Sequence, residues 1–148
     1  MRGKGGAIHK RLQAELAEIL FRQGLIVQVE GQIGGKFIDL VVCELGDLTR
    51  AWGIEIHLNR RWALLLDQIR RDLRSGATHV IVLVPTHNLV SCASFITPML
   101  KPAEAERVRI CSVFGYVQQE KSRINTTSNI EVQNRTIGTK RRRGYGTV

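Results

Sequence analysis

Two carboxylates stand where hydrophobic residues are expected. In the stretch FIDLVVCELGDLTRAWGIEIHLNRRW, residues 37–62, Asp39 follows Phe37 and Ile38, and Glu55 lies between Ile54 and Ile56. Both segments otherwise read as strands, rich in Ile, Val and Leu. Side chains alternate along a strand, so Glu55 and His57 share one face, while Ile54, Ile56 and Leu58 share the other. Acids on neighbouring strands, about 4.8 Å apart, are rigidly held oxygen donors. A hard cation such as Mg²⁺ takes one or two carboxylates and completes its octahedron with water. His57 adds a basic group beside them. With an ordinary pKa near 6.5 it can hydrogen-bond a nucleophile, serve as a general base, or bind a softer ion such as Mn²⁺. Taken singly, Asp39 reads as an acid paired with an arginine near a turn, and Glu55 as an ion-paired acid on a half-exposed strand. Their joint placement on successive strands is what favours a metal site.

The elements that must position these residues are legible from periodicity. Residues 7–23 place Ile8, Leu12, Leu16, Ile19 and Leu20 at intervals of four and three, an amphipathic helix closed by Gly24. Strands follow at about residues 25–30, 36–43 and 52–58, separated by the glycine turn at 31–35 and by GDLT at 46–49. RRWALLLDQIRRDLRSG is a second helix, with Trp62, Leu66, Ile69 and Leu73 on one face and Gly76 at its end. HVIVLVP, residues 79–85, is an apolar, β-branched run of the kind covered on both faces. A short helix over 87–100 and a last strand over 108–117 complete the series. The first three strands suggest an antiparallel meander, and the helix between strands 52–58 and 79–85 a right-handed parallel crossover. The fold class is α/β: a mixed sheet flanked by helices, ordered αβββαβ with a further strand. No GxGxxG opens a helix after a strand, which argues against a dinucleotide-binding fold.

With that order in place, Ile38-Asp39 and Glu55-Ile56-His57 resemble the signature of the PD-(D/E)XK nuclease superfamily, whose members include restriction endonucleases and Holliday-junction resolvases. The resemblance covers roughly residues 7–85 and is expected to extend to 117, and it rests on three or four residues. Ile38 stands in place of the motif proline and His57 in place of the lysine. The resemblance implies that Asp39 and Glu55 hold Mg²⁺ or Mn²⁺ for phosphodiester hydrolysis, with His57 in the lysine's role. It implies a further residue from the first helix, for which His9 and Glu15 are the candidates; their spacing of six puts them on different faces. Gln68 resembles a glutamine found on the second helix in several branches, and with Arg61 and Arg71 it forms a polar stripe that reads either as a solvated helix face or as a phosphate contact. Trp52, Trp62, His79 and His87 read as structural.

Charge agrees with a polyanionic partner. The chain of 148 residues carries a net +9 and a pI near 10.2. Residues 121–148 hold seven basic residues against one acid, Glu131, and their composition reads as a basic, disordered tail behind a nuclease-like domain at 1–120. Within it, Lys140, Arg141, Arg142 and Arg143 suit phosphate contacts that carry no sequence information. Cys43, Cys92 and Cys111 are widely spaced, without a CxxC, and read as small buried residues rather than zinc ligands. No apolar run approaches the ~18 residues of a membrane span, and no secretory signal is evident. The expected protein is a cytoplasmic or nucleoid-associated homodimer acting on DNA. The competing expectation is a catalytically inactive nuclease fold that binds nucleic acid or serves in assembly.

Overall fold

A computed structural model describes residues 6–124. Helix α1 (Ala7–Phe21) precedes an antiparallel meander of β1 (Leu25–Ile33), β2 (Lys36–Glu44) and β3 (Trp52–Ile56). Helix α2 (Trp62–Ser75) carries the chain across to β4 (Val80–Val84), parallel to β3. A 3-10 turn (Thr86–Asn88), α3 (Leu89–Met99) and the short α4 (Pro102–Ala105) lead to β5 (Val108–Ser112), parallel to β4. The five strands lie in chain order, β1-β2-β3-β4-β5. The α/β class and the mixed sheet follow the sequence reading.

Two apolar layers sandwich the sheet. On one side Leu16, Ile19 and Leu20 of α1 pack against Leu40, Val42, Ile54, Ile56, Ile81 and Leu83. On the other, Leu65, Leu66, Ile69 and Leu73 of α2 meet Val80, Val82 and Val84, with Cys92 and Ile96 of α3. The α2 periodicity therefore reports its true buried face. In α1 it is shifted: Ile8 is 67% exposed, whereas His9 and Gln13 are buried on the same side as Leu16 and Leu20. Polar residues occupy the core-facing stripe of the first two turns, so an apolar count alone misplaces the helix face.

The chain departs from expectation after β5. Strand pairing stops at Ser112, and residues 113–124 are helical (α5) rather than strand through 117. The Ser112 hydroxyl accepts the amide of Gly115 at 3.0 Å, a serine N-cap that starts the helix. Val113, Tyr116, Val117 and Ile124 then face the α1-side core with helical spacing. The short apolar run VFGYV hides this period until the residues beyond Glu120 are included. Residues 121–124 consequently belong to α5; Lys140, Arg141, Arg142 and Arg143 lie outside the described residues.

Gly34, in the β1–β2 turn, has φ +55, and a Cβ there would collide with the backbone carbonyl oxygen of Ser75 at the end of α2. Neighbouring Gly35 has φ +79 but open space around the same position. Gly34→Ala is expected to cost about 2 kcal/mol or more in denaturant unfolding, and Gly35→Ala about 1 kcal/mol from backbone strain alone. Equal losses for the two variants would rule out the turn-to-helix contact.

Candidate active site

The β2–β3 ladder runs from Val42↔Trp52 to Leu40↔Ile54. Continuing that register sets Asp39 opposite Glu55, but carboxylates replace carbonyls as partners there. The Ile56 amide donates to Asp39 Oδ2 at 2.8 Å, and the Asp39 amide donates to Glu55 Oε1 at 3.3 Å. Each acid thus caps the backbone of the opposite strand. β3 itself stays anchored on its other edge, where Glu55 pairs with Val82 and Ile56 with Leu83, and the His57 amide donates to Leu83 O at 2.9 Å.

Asp39 lies across from an irregularity in β1. Glu30 takes φ +50, between the register pairs Val29↔Leu40 and Gly31↔Ile38. Ile38 lies close under Gly53 rather than joining Leu40 and Val42 in the α1-side core, and a Cβ on Gly53 would come within 3.0 Å of it. Helix α1 holds Asp39 in this position. Gln13 Nε2 donates to the Asp39 carbonyl at 3.2 Å, and His9 Nε2 lies 3.2 Å from Asp39 Oδ2. Asp39 therefore has its amide, carbonyl and carboxylate all engaged by residues from other elements.

Asp39, Glu55, His57, Gln68, Arg61 and His9 line one cleft of about 420 Å³. Asp39 and Glu55 are each 3% exposed and His57 is 7% exposed, so the acids form the buried wall of the cleft. This differs from a half-exposed strand: β3 is covered on both faces, and alternation shows instead as Ile54 and Ile56 in the core against Glu55 and His57 in the cleft. Leu58 leaves the apolar series. It is 36% exposed and lines the cleft, because β3 ends at Ile56. The His57 ring tilts against Trp62 with centroids 5.8 Å apart, and Trp62 Nε1 donates to the Ser91 hydroxyl at 3.2 Å. The α1 N-cap Gly6 and first-turn His9 also line the cleft, so the positive end of that helix favours anions there.

The remaining candidates fall elsewhere. Glu15 is exposed and pairs with Lys121 at 3.8 Å, so His9 alone of the two first-helix candidates reaches the cleft. Arg71 is exposed on α2 outside the cleft; the cleft-facing stripe is Arg61, Leu64 and Gln68. Trp52 stacks on His79 at 5.2 Å and 16°, at the other end of β3, and burial lowers the His79 pKa. Gln13 was not among the sequence candidates. Its signal was present: a glutamine four residues after His9 and three before Leu16 falls on the buried face.

Two facing carboxylates fit a hard divalent cation, which binds through few protein ligands and keeps its waters. A richer cage is absent among the described residues, where no group of three or more His, Cys, Asp or Glu side chains is placed to hold a metal ion. No described helix is long and apolar enough to cross a membrane. Comparisons of the chain with family models, curated proteins and solved structures give no match.

Proposed function

We propose that the chain is a Mg²⁺- or Mn²⁺-dependent DNA endonuclease, a resolvase-like phosphodiesterase. The reading rests on one observation: Asp39 and Glu55, from separate strands, are locked at facing positions, with Glu55 Oε1 accepting the Asp39 amide and Asp39 Oδ2 accepting the amide of Ile56 beside Glu55. That arrangement costs the β2–β3 ladder its regular pairing, a cost without return if the acids served packing alone. The bound ion would acidify a water and offset charge on the scissile phosphate. The chain supplies the rest. Asp39 and Glu55 present fixed oxygens. His57, backed by Trp62, accepts a proton from the attacking water. Gln68 on α2 and the guanidinium of Arg61 at its N-cap hold the phosphate.

The net charge of +9 supports DNA as the partner. A homodimer supplies the second site that a double cut requires, and a cytoplasmic or nucleoid-associated location follows from that substrate. A second reading, a nuclease fold that binds nucleic acid or serves in assembly without cutting, draws on the histidine at the lysine position and the small donor set. Supercoiled plasmid incubated with Mn²⁺ or Mg²⁺ separates the two. Nicking that stops on addition of EDTA is expected; intact plasmid in both metals, together with no calorimetric heat of metal binding, rejects the enzyme.

A further inference from the structure

The cleft-facing stripe of α2 interrupts its polar residues with a leucine. Arg61 is the residue that precedes the first turn of α2, and Leu64 and Gln68, four residues apart within the helix, are neighbours on its surface at roughly 5–6 Å. Leu64 is 44% exposed, and Leu58, directly after His57, is 36% exposed; both line the cleft that holds Asp39 and Glu55. Two half-open leucines at the mouth of a site walled by buried acids are poorly placed for water or for phosphate. They are suited to an apolar, planar surface delivered beside an anion, since Arg61 is their neighbour.

We infer that Leu58 and Leu64 receive a nucleobase unstacked beside the scissile phosphate, so that the protein acts on unpaired or distorted DNA in preference to continuous duplex. The inference rests on the nuclease reading above and names its substrate class. Strand-binding grooves combine cations that follow the phosphates with side chains that take bases, and leucine is among the wedges that proteins insert between base steps. The guanidinium of Arg61, at the N-cap of α2, engages the phosphate, and Leu64 in the first turn and Leu58 beyond β3 meet the attached base. A base held in the stack of an intact duplex must first be extruded, whereas an unpaired base is already available. That difference is the source of the selectivity.

The test uses the full chain and one sequence in three forms: continuous duplex, duplex with a single unpaired nucleotide, and single strand. In Mn²⁺ the unpaired forms are expected to be cut about tenfold faster than duplex, and Leu58→Ala/Leu64→Ala to bring that ratio to about twofold or less. A 2-aminopurine at the unpaired position, bound in Ca²⁺ to avoid cutting, is expected to change fluorescence with the wild type and not with the double variant. Equal cutting of all three forms with an unresponsive 2-aminopurine overturns the inference while leaving a nuclease. A leucine-dependent 2-aminopurine response with no cutting in any metal keeps the base contact and removes the nuclease. Loss of both signals removes both. If the double variant changes only the mass measured by light scattering, the leucines form a contact between copies of the chain, and the base contact is wrong.

Discussion

Under the proposed function, Glu55→Gln is expected to lower metal-dependent DNA cleavage by about 10³-fold or more while leaving the fold intact. The amide keeps an oxygen at the position that accepts the Asp39 amide, so the bond between the strands survives. What disappears is one of two facing negative charges, and with it the affinity for a divalent ion. Thermal melting separates these effects. Without metal the variant is expected to melt close to the wild-type temperature, because the bond from the Asp39 amide is kept. Added Mn²⁺ is expected to raise the melting temperature of the wild type, as a ligand of the folded state alone does, and not that of the variant. Alanine is the poorer probe. At Asp39 it strands the buried Ile56 amide, at about 1–3 kcal/mol, and confuses lost chemistry with lost stability. Full cleavage by Glu55→Gln, or an Mn²⁺-induced rise equal to wild type, would falsify the assignment of Glu55 to a metal site.

His57→Ala is expected to reduce cleavage by about 10²-fold or more, in the range for loss of a positioned acid–base group. The Mn²⁺-induced rise in melting temperature persists, because the carboxylates remain. His57→Lys is the sharper variant. The imidazole is buried, held by its backbone bond to β4 and set against Trp62. A lysine in the same place loses the ring contact and trades a fixed base for a flexible cation. It is expected to cut no faster than His57→Ala by more than a few-fold. Cleavage above the wild-type level in Mg²⁺ has the opposite meaning: the native site is then a remnant that lysine repairs, and the inactive nucleic-acid-binding fold becomes the better account.

The same two residues show how far local sequence reaches. Asp39 and Glu55 stand out because they interrupt apolar runs, and the order of helices and strands around them is written in periods of 3.6 and two. Those periods arise from each segment's own burial, so α2, the strands and the crossover to β4 are legible before any contact is known. Even there the signal has limits. His9 and Gln13 interrupt the buried face of α1, and the run at 113–117 is too short to distinguish strand from helix without the Ser112 cap.

Other features depend on elements distant in the chain. Only packing decides that His9 meets Asp39 while Glu15 turns to Lys121, because the answer depends on the rotation of α1 over the sheet. Only the folded sheet shows the irregular Glu30 of β1 across from Asp39, and Ile38 packed under Gly53. The exchange of carboxylates between β2 and β3, and the leucines beside it, likewise appear only once the strands are aligned. Residue type and periodicity tell which groups are available for chemistry and on which kind of element each is carried. Which of them share a cleft depends on packing, because register and helix rotation are set by contacts between segments that local propensity does not encode.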